Sequence, residues 1–224
     1  MTTQNDLSKR NSNHSLYPHF VTVVDELIER VDKKELENLR KDFHTRLRMT
    51  LSQPERTELV EDLWDFFYDW CLFEKEIPES LEKLPSNVRG IWTQLKTGNL
   101  RGLYSVQKIN DEGLKLKEIY TGKVYFVGRK YDSDFLGLQK GDLIEGRLVE
   151  DGSGKDEATV FVRRPSYHPV EVHDYIKNKV KQFKKEKDFE TYQKWLWLLV
   201  GMYLKYRIYE HMPIEKIYDD NSRI

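Results

Sequence analysis

Apolar and polar positions recur with helical period from Leu16 to about residue 97, with period two from Arg101 to Tyr167, and with helical period again beyond it. Phe20, Val23, Val24, Leu27, Ile28 and Val31 predict a first helix from Leu16 to about Val31, and Leu36, Leu39, Phe43, Leu47 and Leu51 a second. Ser52-Gln-Pro-Glu55 matches a capping box with proline in the first turn, a start signal for a third. That third helix is the most patterned part of the chain. Leu59, Leu63, Trp64, Phe67, Trp70 and Cys71 line one side, and Glu58, Glu61, Asp62, Asp65 and Asp69 the other. Short helical pieces are expected at 79–84 and 87–97.

The period-two region predicts strands at about 102–109, 114–120, 123–129, 142–149 and 158–164. Asp111-Glu-Gly113 and Thr121-Gly122 supply hairpin turns, and Asp151-Gly-Ser-Gly154 a longer loop. Gly146, inside a strand, is expected to let another backbone come close. Pro165 and Pro169 bracket an expected hinge, followed by a lysine-rich helix over 170–186 and an aromatic-rich one over 188–210. Helices, then strands, then helices imply an α+β protein. The expected architecture is a small antiparallel β-barrel-like domain (101–167) between an N-terminal helical region (15–100) and a C-terminal helix pair (168–224), with a flexible tail at 1–14.

Composition narrows this picture. At 224 residues the chain suits one elaborated domain or two small ones, and its 12% aromatic content argues against global disorder despite 33% charged residues. A net charge of −1 leaves no whole-protein attraction to nucleic acid or anionic membrane, so only a local patch could serve. The longest apolar run, Trp195 to Leu204, has ten residues where a spanning helix needs about twenty. A single cysteine excludes an internal disulfide and a cysteine-based zinc site within one chain. With a polar N-terminus lacking a signal-type segment, these features predict a cytoplasmic protein.

Phe67-Tyr-Asp-Trp-Cys-Leu-Phe73, then Gly102-Leu-Tyr-Ser-Val106, Leu114 to Tyr125 and Leu138 to Val149, stand in an order that resembles an uncharacterised bacterial family often described through a cysteine-rich SEC-C motif. The resemblance covers about residues 58–165. It implies an acidic-aromatic helix followed by a small β-domain. The cysteine cluster that names the group is missing here, so no metal-binding role carries over, and the family supplies no catalytic residue.

Two charged groups are candidates for binding. The acidic stripe of Glu58, Glu61, Asp62, Asp65 and Asp69 could meet a divalent cation or a basic partner; otherwise it is a solvated face opposite an aromatic one. Lys177, Lys181, Lys184 and Lys185 share a helix face, while Arg129-Lys130 and Arg163-Arg164 end strands. Merged, they would form a phosphate-contacting surface with Tyr104, Tyr125, Tyr131 and Tyr167 as stacking rings. Glu171, Asp174, Glu186 and Asp188 interleave with the lysines, so a solvated face is the plainer reading.

The glycines form no phosphate cradle, the histidines no His-x-x-x-His pair, and no serine sits in a nucleophile elbow. Cys71 reads as a buried inert thiol. No catalytic residue, cofactor or metal ligand is therefore assigned. The aromatic residues over 192–209 exceed what one helix core needs and could contribute a partner-binding patch. The leading expectation is a non-enzymatic cytoplasmic adaptor acting through protein–protein contacts. The alternative is nucleic-acid binding by the β domain and the lysine-rich helix, and a metal-dependent enzyme built on the acidic stripe comes third.

Overall fold

A computed structural model describes residues 17–49, 57–75, 83–129, 135, 137–150, 158–209 and 211–221. The tail, the Ser52–Glu55 box, most of the 79–84 piece and the 151–154 loop lie outside them. Among the described residues four helices come first: α1 (Tyr17–Arg30), α2 (Lys33–Leu47), α3 (Thr57–Trp70), which runs into a π-helical turn at Cys71–Lys75, and α4 (Ser86–Lys96). The Asp32 carboxylate caps α2 by accepting from the Lys34 and Glu35 N–H groups at 2.8 and 3.3 Å.

Six strands follow among the described residues: β1 (Leu100–Asn110), β2 (Gly113–Glu118), β3 (Val124–Gly128), β4 (Leu143–Glu150), β5 (Ala158–Phe161) and β6 (Ser166–His168). β4, β1, β2 and β3 lie side by side as an antiparallel Greek key, and β5 pairs with both β3 and β4. The result is a closed five-stranded barrel, the Greek-key architecture of OB-folds, with β6 added on β4. It is mixed rather than wholly antiparallel, because β5 returns alongside β3 in the same direction.

A register shift between Val106 and Lys108 bends the long strand β1, which pairs with β4 along its first half and with β2 further on. Tyr104, Val106, Leu114, Leu116, Val127, Ile144, Leu148 and Phe161 fill the interior. Gly102 and Gly146 face each other across β1 and β4. A Cβ on Gly146 would lie 2.9 Å from the Phe161 ring, so the close approach expected there is made by a ring instead of a backbone.

The expected hinge is also different. Residues 166–168 form β6, which pairs Leu143 with His168 and Glu145 with Ser166, and both Ser166 and His168 are buried. Proline at 165 and 169 delimits this short edge strand without needing to donate to its ladder.

Beyond a 3-10 turn at Val170–Val172 come α5 (His173–Glu186), α6 (Phe189–Ile208) and the short α7 (Ile214–Ile217). One core joins α1–α4 to Val149, Val160 and Val162 of the barrel side and to Trp197, Val200 and Leu204 of α6. A second packs α5, α6 and α7 against Leu103 and Leu143. Gly201 lets α2 and α6 touch, since a Cβ there would lie 2.2 Å from the Leu47 carbonyl oxygen. Trp70 and Trp195 are buried. Among the described residues, no helix is long and apolar enough to cross a membrane.

Candidate functional site

α3 is covered on both of its sides. Leu63, Phe67, Trp70 and Cys71 enter the helical core as its pattern predicts, but Phe66 and Leu72 are buried as well. On the acidic side, Asp69 faces the barrel while Asp62 pairs with Arg207 of α6. Asp69 has no solvent exposure, and Glu61, Asp62 and Asp65 are half-buried, so the described part of the stripe is not a solvated face. The Glu58 side chain lies outside the described residues.

What receives Asp69 is a set of arginines on the outside of β1, β4 and the end of β5. Its Oδ1 accepts from Arg147 Nε at 2.7 Å and its Oδ2 from Arg163 Nε at 2.7 Å. Arg101 and Arg147 are directly opposite across the β1–β4 ladder, a like-charge pair that costs stability unless neutralised. Glu145, two positions from Arg147 on the same side of β4, accepts from Arg101 Nε at 2.8 Å and Arg163 Nη2 at 3.4 Å. Glu74, on the π-helical turn, accepts from Arg147 Nη2 at 3.1 Å and Arg101 Nη1 at 3.5 Å, and its second oxygen takes the Trp197 indole N–H at 2.6 Å.

Three arginines and three carboxylates thus close a neutral network between barrel and helices. Each guanidinium also lies over a ring: Arg101 on Trp197 at 3.4 Å, Arg163 on Phe66 at 4.0 Å and Arg147 on Phe73 at 4.4 Å. Burial alone would raise the Asp69 pKa, but Arg147, Arg163 and Arg101 outweigh it and hold the carboxyl below its ordinary range. Burial likewise opposes the charge on Arg163, and Asp69 and Glu145 more than restore it.

These contacts correct one basic candidate. Arg163 is buried and committed to Asp69 and Glu145, so it is unavailable to an external phosphate. Arg164 is exposed beside the Tyr167 ring, Tyr167 is half-buried, and Arg129 is half-buried with its Nε enclosed. Lys130 and Tyr131 lie outside the described residues. Lys177, Lys181, Lys184 and Lys185 are exposed on α5, where Lys184 Nζ approaches the Ile119 carbonyl at 3.5 Å, at the β2–β3 turn. Tyr104 is inside the barrel, with no solvent exposure, and the half-buried Tyr125 meets its ring at right angles, centres 6.0 Å apart.

A different basic surface stands on the outside of β1–β3. Leu114 and Leu116 point into the barrel, which turns Lys115 and Lys117 outward. The register pairs Lys108 with Lys115 and Lys115 with Phe126; beside that row, Ser105 pairs with Lys117 and Lys117 with Val124. Lys108, Lys115, Lys117 and Lys123 are all exposed, as are Val124 at 47% and Phe126 at 38%. Asp111 and Glu112 sit at the hairpin tip beyond this patch.

The patch rests on a fixed turn. Glu118 is buried and accepts from the Tyr120 and Thr121 N–H groups at 3.1 and 2.5 Å and from the Tyr192 hydroxyl of α6 at 2.6 Å. Tyr192 in turn accepts from the Leu103 N–H at 3.3 Å. Tyr120 stacks on Tyr192 with ring centres 4.7 Å apart.

Cys71 and His168 are sequestered. Burial pushes the Cys71 thiol up, away from a nucleophilic thiolate. His168 shares a hydrogen bond with the Tyr218 hydroxyl at 3.1 Å, and burial brings its pKa down to about 4, so the ring is neutral at physiological pH. Among the described residues, no group of three or more His, Cys, Asp or Glu side chains is arranged to hold a metal ion. Comparison with protein-family models, with curated proteins and with solved structures finds no match for this chain.

Proposed function

We propose that this is a cytoplasmic binding protein, without catalytic machinery of its own, that takes single-stranded nucleic acid on the outer face of β1–β3. The row Lys108, Lys115 and Phe126 carries this reading. Lysines facing each other across a ladder destabilise a sheet, so the arrangement is costly to the fold and useful to a polyanion. An exposed phenylalanine among lysines offers what single-strand binders combine, a ring for a base to stack on and charges for its phosphates. The same strand face serves OB-folds in oligonucleotide binding, although architecture alone does not decide function.

Fluorescence anisotropy with labelled oligothymidylate and oligouridylate at low salt tests the reading. Binding is expected to be salt-sensitive, abolished in Lys115→Glu/Lys117→Glu and retained in Lys177→Glu/Lys181→Glu. Affinity unchanged by the strand substitutions would contradict it.

A second reading, a protein adaptor, is favoured by the exposure of Val124 and Phe126 on that face. It predicts a partner with an acidic, partly apolar surface, captured from nuclease-treated extract and lost with Phe126→Ala.

A further inference from the structure

We infer a second site, independent of the strand face: the cleft enclosed by α2, the end of α3, α5, α6 and the C-terminal segment binds a small molecule bearing more than one phosphate group. The cleft has a volume of about 610 Å³, within the size range of small-ligand sites. Its walls carry five cationic side chains, Arg46, Arg48, Lys75, Lys179 and Lys194, against two carboxylates, Asp42 and Asp220. Trp70 and Trp195 contribute apolar wall.

The carboxylates are already engaged. Asp42 pairs with Lys75 at 3.2 Å. Asp220 pairs with Lys179 and also accepts from the Tyr175 hydroxyl at 2.7 Å and the Trp195 indole N–H at 3.0 Å. Lys194 pairs with Glu190 at 2.6 Å. Arg46 and Arg48 have no carboxylate partner among the described residues; Arg46 lies over Trp70, and Arg48 donates to the Asp220 main-chain carbonyl. Beside them is Lys205, buried, its ammonium pKa lowered by burial and by repulsion from Arg48.

Among the described residues, positive charge at this cleft therefore exceeds the negative charge paired with it. Arg46 and Arg48 carry guanidiniums, which bind phosphate oxygens in bidentate fashion. An open cleft of this size admits more than a lone ion, and the spread of cations over α2, the π-helical turn, α5 and α6 suits a ligand with separated charges. A free nucleotide and an inorganic polyphosphate share that chemistry.

Calorimetry and tryptophan fluorescence on the full chain, with pyrophosphate, ATP and sulfate as probes, test the inference. Saturable binding of pyrophosphate or ATP, with sulfate at least tenfold weaker, is the expected result. Arg46→Glu, at an exposed position, is expected to keep the thermal midpoint and to weaken binding roughly tenfold to a hundredfold. Lys115→Glu/Lys117→Glu is expected to leave this binding intact, which separates it from the strand-face reading. ATP tighter than pyrophosphate identifies a nucleotide; equal affinity identifies the phosphate chain. No saturable binding, sulfate as tight as pyrophosphate, or an unchanged affinity in Arg46→Glu would overturn it.

Discussion

Asp69 and Arg163 stand 94 residues apart in sequence and meet in a fully buried ion pair, Oδ2 to Nε at 2.7 Å. Removing both charges from water is costly, and the geometry offsets that cost with several hydrogen bonds per group and a ring beneath each guanidinium. Because Asp69 belongs to α3 while Arg147 and Arg163 belong to the barrel side, the pair fixes how the two parts meet.

Removing one member should expose this dependence. Asp69→Asn leaves two arginines buried with too little negative charge, and a loss of about 3–5 kcal/mol is expected. Urea denaturation followed by tryptophan fluorescence measures it. A loss under about 1 kcal/mol would mean the network orients the parts without stabilising them.

Acid should weaken the fold through two groups acting in the same direction. The folded pKa of His168, about 4, lies below its ordinary 6.5, so protonation favours the unfolded chain. Its contribution, on the order of 3 kcal/mol, is complete above about pH 6.5 and is lost as pH falls toward 4. Asp69 is held low, so its contribution is present above the ordinary carboxylate range and disappears as pH falls through its folded value. Thermal midpoints are therefore expected to drop between about pH 7 and pH 5, and His168→Gln to flatten that drop. A flat profile in the parent protein would refute this assignment.

Two helical glycines should respond oppositely to alanine. Gly201→Ala drives a methyl into the Leu47 carbonyl and is expected to cost about 2–3 kcal/mol by parting α2 from α6. Gly90→Ala in α4 meets nothing within 4 Å and is expected to add about 0.5–1 kcal/mol through helix propensity. Differential scanning calorimetry of both variants, compared with the parent, checks the signs.

Much of the fold is legible along the chain. The alternation Leu114-Lys-Leu-Lys117 and the glycine turns locate β2 and its hairpins because half-buried strands need period two. β6 is not legible, since three residues between prolines show no period. Nor is the burial of Asp69: an acid opposite an aromatic stripe reads as solvated, and its partners lie 78 and 94 residues away. The available signal is Glu145-Gly-Arg147 inside an otherwise apolar strand, charges that have to find partners once β4 is covered on both faces. The strand-face lysines are visible singly as ordinary outward residues, and only the register brings Lys108 against Lys115 and Phe126. On α5 the helix and its exposed lysines follow from spacing, whereas the fate of Arg163 depends on tertiary contacts.

Lysine acylation footprinting by mass spectrometry, with and without a single-stranded oligonucleotide, tests the central claim most directly. The account predicts slowed modification at Lys108, Lys115, Lys117 and Lys123, with Lys177 and Lys181 unchanged. Equal reactivity of the four strand-face lysines in both states, or protection confined to the α5 lysines, would contradict it.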